Sequence, residues 1–189
     1  YYGNRAKVSM AYQIRSETVT EPICGQQVEN PYLTCLGLQA LNFNLESVNQ
    51  QPFNFRPRIS AAYSAWNLHL TDSASDMFEI ATNMVPNSHA IRNDLAEVQI
   101  AIGLYEKALE ELNQSLSITG ESPDSARALH LKGKIFWETG RYNDAVNALK
   151  HSIALETSTQ ALHLLHDIYT MQGVINDIGY FDELINENP

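Results

Sequence analysis

Gly103-Leu-Tyr-Glu-Lys-Ala-Leu-Glu-Glu-Leu-Asn-Gln-Ser-Leu-Ser-Ile118 and Gly140-Arg-Tyr-Asn-Asp-Ala-Val-Asn-Ala-Leu-Lys-His-Ser-Ile-Ala-Leu155 are one phrase written twice. Gly103, Tyr105, Ala108, Leu112, Ser115, Leu116 and Ile118 correspond to Gly140, Tyr142, Ala145, Leu149, Ser152, Ile153 and Leu155, each pair 37 residues apart. A fixed period of this size is the mark of a solenoid, in which each unit buries its apolar face only against its neighbours.

The phrase predicts a helix packed on a helix. After the glycine, Tyr105, Ala108, Leu109, Leu112 and Leu116 keep three-four spacing, one stripe of an α-helix. Gly103 and Gly140 each end a preceding helical pattern, where a left-handed residue is needed. Ala108 and Ala145 stand mid-stripe, where a missing side chain lets two helices approach closely. Ser115 and Ser152 supply a second small site, and Tyr105 and Tyr142 fill the space beside the turn.

These residues resemble the tetratricopeptide repeat, a helix-turn-helix unit of about 34 residues. A third copy lies upstream: Ala74, Phe78, Ala81 and Pro86 match the family's small, aromatic, small and closing proline positions, and Ala74 lies 34 residues before Ala108. A fourth, weaker copy uses Leu162, Leu165, Tyr169 and Gly173, with Ile178 where the family has a small residue. Lys132 stands where a leucine is usual, with Leu131 beside it. Gly120 and Thr157 replace the closing proline, and three extra residues around Gly120–Asp124 stretch one period to 37. The resemblance implies an all-α fold, a right-handed α-solenoid of antiparallel helix pairs. Residues 1–51 are expected as an N-terminal helical segment packing on the array. Residues 52–189 are expected as the array itself, in units of about 52–87, 88–121, 122–157 and 158–189.

Taken in order, Ala6, Met10 and Ile14, with Val8 and Ala11, predict a helix over 1–17, and Pro22, Gly25 and Asn30 a loop over 18–30. Asn30-Pro31 starts the next helix with a cap and a proline in its first turn. Leu33, Leu36, Gly37, Ala40 and Leu41 are expected to be its buried face. Two prolines between Gln50 and Pro57 interrupt the chain. Helices are then expected over 55–69 and 72–85, capped by Thr71 or Asp72, and over 88–102 and 104–118. Further helices are expected over 124–139 and 141–155, with Ser122-Pro123-Asp124 opening the first of these. Thr157…Gln160 reads as a capping box for a helix ending near Gln172, before a last helix from Ile175.

A chain of 189 residues with 44% apolar residues is one domain or one elongated array with enough material for a core. Its net charge of −10 argues against nucleic acid and against an anionic membrane surface. Cys24 and Cys35 either form one disulfide in an oxidising compartment or are two ordinary thiols. No apolar run is long enough to span a bilayer, and there is no signal peptide. The chain opens at Tyr1-Tyr2 without an initiator methionine, which reads as a piece of a longer parent.

In a tetratricopeptide array the first helix of each pair lines a concave face. Counting the helical phase from the repeat places Tyr63, Trp66 and Asn67 of one unit there, then Asn93, Asp94 and Glu97. The next two first helices contribute Arg127, His130, Lys134 and Trp137, and His163 and Asp167. Aromatic residues on that face would anchor a peptide or a sugar ring; the commoner fate at helical spacing is packing between helices. Asp94 and Glu97 would repel an acidic tail, which argues against a clamp for a carboxylate. Arg127, His130 and Lys134 face those acids from one repeat on, and an ion-pair lattice is the simpler reading.

No catalytic constellation emerges. Gly-x-Ser-x-Gly, a phosphate-cradling loop and His-Glu-x-x-His are all missing from the sequence. His163 and His166, three apart on one helical face, lack the further ligands that zinc requires. No cofactor is expected. Two readings follow. The first is a non-enzymatic scaffold that binds a protein or peptide segment in its concave groove; a glycan or a second copy of the chain stays open as partner. The second concerns a parent. Asn30-Pro31-Tyr32, Leu36-Gly37, Pro52-Phe53-Asn54-Phe55-Arg56 and Met84-Val85-Pro86-Asn87-Ser88 resemble the tetratricopeptide tail of bacterial O-antigen-ligase-like membrane proteins. That resemblance implies an extracytoplasmic domain organising partners or glycan, without being the catalyst, and favours Cys24–Cys35 pairing. A cytoplasmic scaffold is the competing setting.

Overall fold

The computed structural model describes residues 31–173. The expected helix over 1–17, the loop over 18–30, the pairing of Cys24 with Cys35 and the last helix from Ile175 lie outside them. Among the described residues there are eight α-helices and no strand. The chain divides into two compact units, Tyr1–Pro86 and Asn87–Pro189. The first contains α1 (Pro31–Gln50), α2 (Phe55–Asn67) and α3 (Thr71–Met84). The second contains α4 (His89–Ala101), α5 (Tyr105–Thr119), a 3₁₀ turn (Pro123–Ser125), α6 (Ala126–Glu138), α7 (Tyr142–Leu155) and α8 (Thr159–Gln172).

In the first unit α1 packs on α2 and α2 on α3. Asn54 caps α2, its side chain accepting from the Arg56 backbone N–H. Pro57 sits in the first turn, where its missing N–H has no helical partner to lose. Neither Thr71 nor Asp72 caps α3; Leu70 is the cap residue, and Thr71 already lies in the helix. Of the expected buried face of α1, Leu41 is buried and is continued by Leu45 and Val48, whereas Ala40 is exposed; the side chains of Leu33 and Leu36 lie outside the described residues. Gly37 is half-buried, and a Cβ there would lie 2.8 Å from Leu68 Cδ2.

The second unit is built by stacking pairs. Helix α4 packs on α5, α6 on α7, and α7 on α8. Two apolar layers form, each shared between one pair and the next first helix. Ile100, Ala108, Leu112, Leu131 and Ile135 make one layer, and Ala145, Leu149, Leu162, Leu165 and Ile168 the other. Leu131 fills the core position beside Lys132, whose ammonium instead donates to Asn113 Oδ1 at 2.9 Å.

The period is written in hydrogen bonds as well as in residues. The Ser115 hydroxyl donates to the His89 carbonyl at 3.4 Å, and the Ser152 hydroxyl to the Ala126 carbonyl at 2.7 Å. Each serine reaches back to the first residue of the preceding helix, and the two bonds stand 37 residues apart. The turns α2–α3, α4–α5 and α6–α7 close with the same bond. Leu70 N–H donates to Ala65 O at 2.9 Å, Leu104 N–H to Gln99 O at 2.8 Å, and Arg141 N–H to Phe136 O at 2.7 Å. The residue before each donor is left-handed, with φ 58° at His69 and 75° at Gly103 and Gly140. Histidine thus takes the place of glycine in the first unit, 34 residues before Gly103.

The insertion around Gly120–Asp124 is absorbed locally. Gly120 turns with φ 63°, Pro123–Ser125 forms the 3₁₀ turn, and α6 starts at Ala126. The buried Ser125 hydroxyl bonds the Gly120 carbonyl and lies 2.7 Å from Thr119 Oγ1. At the start of α8 the cap residue is Ser158, not Thr157.

Candidate functional site

The first helices of the second unit bring part of the expected face together. Arg127 on α6 lies 2.8 Å from Asp94 and 2.6 Å from Glu97, both on α4. One guanidinium therefore offsets both acids that were expected to repel an acidic ligand. Burial pulls the Arg127 pKa down, but the bond to Glu97 and the charge of Asp94 outweigh it and hold it above the ordinary arginine value. The outer part of this lattice is open to solvent, so its contribution to stability is small.

A cleft of about 520 Å³ opens beside this pair. Its walls come from three successive first helices: Glu97 on α4, Arg127, His130 and Lys134 on α6, and Gln160 on α8. Glu156, Thr157 and Ser158, between α7 and α8, close one end. Gln160 was missed from sequence, although it holds the same place near the start of α8 that Arg127 holds in α6. The 156–158 loop had no repeat signal to mark it. The cleft mixes apolar surface from Ala126 and Leu131 with cations and carboxylates set side by side, and suits an extended ligand that carries both apolar and charged groups.

His130 lies half-buried in this wall. Burial, and then Lys134 and Arg127, depress its pKa below 6.5, against the opposing pull of Glu97. The unfolded chain therefore takes up this proton before the folded one. The neutral imidazole's contribution is fully present above pH 6.5 and is lost as pH falls below it. Unfolding by urea at about pH 7.5 and about pH 5.5 should show wild type losing more stability on acidification than His130→Gln. Equal losses would remove His130 from the acid response.

The remaining expected residues are placed differently. Asn93 is 2% and Asp94 6% exposed, so neither is the solvent-facing group expected of a groove lining; nine of the thirteen residues of α4 are buried. Trp137 packs against the layer containing Leu149 and Leu162, its ring 5.5 Å from Tyr142. His163 and Asp167 are exposed on α8, and His166 Nδ1 is 3.6 Å from Asp167 Oδ1. In the first unit Tyr63 is exposed, with its ring edge-on to Phe78 at 5.2 Å; Trp66 is half-buried and Asn67 exposed. Among the described residues no helix is long and apolar enough to cross a membrane.

Comparison with known proteins agrees with the repeat register. Residues 87–158 match the family model described as tetratricopeptide repeat. A stretch of 79 residues is 34% identical to the HTH-type transcriptional regulator MalT of Cronobacter sakazakii, covering 39% of this chain and 9% of that protein. Among solved structures, the fold is similar to a thermophilic tetratricopeptide protein of Thermus thermophilus, with a TM-score of 0.67 at 18% identity over 82% of this chain and 88% of that one. It is likewise similar to PilF of Pseudomonas aeruginosa, with a TM-score of 0.69 at 13% identity over 82% and 74%. Residues 87–158 are thus similar to the tetratricopeptide repeat, and the repeating turn bonds and helix pairing agree with that register.

Proposed function

We propose that the second unit is a non-enzymatic interaction module that holds an extended segment of a protein partner in the cleft between α4, α6 and α8. The observation that carries this reading is the cleft itself, about 520 Å³, lined by side chains from three successive first helices. A repeat array presents such side chains at fixed intervals without spending them on the core. An extended peptide offers backbone and side-chain groups at matching intervals. Arg127 is held by two carboxylates, so Lys134 and His130 are the donors best placed to meet a ligand. The fold by itself names no partner.

Selection from a random-peptide display library against the whole chain tests this reading. Lys134→Glu should weaken the selected peptides by about 10–100-fold, as expected for a central contact. Lys107→Glu, exposed on the second helix α5, should leave them unchanged. Peptides that bind Lys134→Glu as well as wild type would place the site elsewhere.

A further inference from the structure

The charges lining the cleft are unevenly matched. Arg127 is engaged by Asp94 at 2.8 Å and by Glu97 at 2.6 Å. Lys134, two turns further along α6, is half-buried in the same wall. Among the described residues no carboxylate forms an ion pair with it. Neighbouring Lys132, by contrast, finds Asn113 on α5. His130 stands between the two cations, one turn from each. Of the charges that act on it, Lys134 is the strongest, followed by Glu97 on α4 and then Arg127, so two cations face one acid at the imidazole. The other carboxylate of the cleft, Glu156, is exposed in the loop before α8, and α8 itself contributes the uncharged Gln160. That loop also brings Thr157 and Ser158, and the Ser158 side chain makes no capping bond. A half-buried ammonium without a counter-ion, an imidazole beside it and nearby hydroxyl and amide donors together form a place for an anion.

We propose that the segment held in this cleft presents an acidic side chain to Lys134 and His130, and that His130 takes up a proton as the segment binds, so that capture tightens as pH falls. This rests on the reading of the cleft as the site of a protein segment. Asp94 and Glu97 do not bar the acid, because Arg127 offsets them. The incoming carboxylate pairs with Lys134 and favours the charged imidazole, which in the free chain Lys134 and Arg127 oppose. The complex therefore binds one more proton than its separated parts. Affinity rises as pH falls through the imidazole pKa of the complex, and levels off below the lower pKa of the free chain, itself under 6.5. The ligand's own Asp or Glu stays ionised down to about pH 5.

Random-peptide selection against the whole chain at about pH 5.5 supplies the probes, with binding then compared there and at about pH 7.5. The peptides are resynthesised with amidated C-termini, so that side chains are their only carboxylates. They should share an Asp or Glu and should bind wild type about 3–10-fold more tightly at the lower pH. Replacing that acid by its amide should weaken binding about tenfold and remove the pH dependence. His130→Gln should bind equally at both pH values, whereas His151→Gln, exposed on α7, should keep the wild-type ratio. Peptides without a shared acid would overturn the proposal. So would equal wild-type affinity at both pH values, or a ratio that survives His130→Gln. Thr157→Trp, which narrows the cleft by bulk alone, separates the two readings. Peptides that Thr157→Trp excludes, but that show no acid and no pH response, would keep the cleft as the site and overturn the acid contact only. Peptides that bind Thr157→Trp and Lys134→Glu as tightly as wild type would overturn both.

Discussion

Replacing Leu149 by alanine should cost about 2–5 kcal/mol of unfolding free energy, read by urea denaturation followed by helical circular dichroism. Leu149 is fully buried in the layer between α7 and α8. It also presses on α6, because a Cβ built on Gly133 would meet Leu149 Cγ at 2.7 Å and Cδ2 at 2.8 Å. Truncation therefore removes contacts on two sides and leaves a cavity that helices tied to their neighbours cannot close. Gly133→Ala alone sets a helix-propensity gain of about 1 kcal/mol against an overpacking cost of about 1–3 kcal/mol. The overlap reaches Cγ and not merely a methyl tip, so a net loss is expected. In the Leu149→Ala background the new methyl enters vacated space. A coupling of about 0.5–3 kcal/mol in the double-mutant cycle should follow. Additive effects would mean that α6 and α7 do not meet through this pair.

Replacing Ala145 by tryptophan should cost about 1–3 kcal/mol or more. Ala145 has no exposed surface and belongs to the same layer as Leu149. Its backbone carbonyl lies 3.5 Å from the position a Gly133 Cβ would take, so α6 and α7 touch nearly backbone to backbone there. An indole has no volume to enter without parting the pair. Asn147→Trp, exposed on the same helix, is the control and should stay within about 0.5 kcal/mol of wild type. A neutral Ala145→Trp would show that the 37-residue register has been drawn wrongly.

Where one residue's local role dictated its identity, the sequence was easy to read. Gly103 and Gly140 sit at φ 75° because an inter-helix turn demands a left-handed residue. Ala108, Ala145, Leu112 and Leu149 have no exposed surface because the stripe they belong to has only one place to go. His69 escaped notice because histidine tolerates the left-handed region at modest cost, so its turn carried no glycine to announce it. On α1, Leu41 is buried as expected but Ala40 is exposed, because that helix is apolar on more than one side and periodicity alone does not say which side a neighbour takes.

The candidate site was legible in part. Charge and register paired Arg127 with Asp94 and Glu97 before any coordinates. They did not reveal that Asn93 and Asp94 are buried, that Trp137 packs against a core layer, or that Glu156, Thr157 and Ser158 close one end of the cleft. By itself the sequence determined the helix pairs, their period and their tight contacts, because steric and conformational demands recur with every unit and leave the same residues behind. Only the tertiary structure decided which polar groups face solvent and which loop walls the cleft. Those depend on distances between helices far apart in the chain, and no local pattern encodes them.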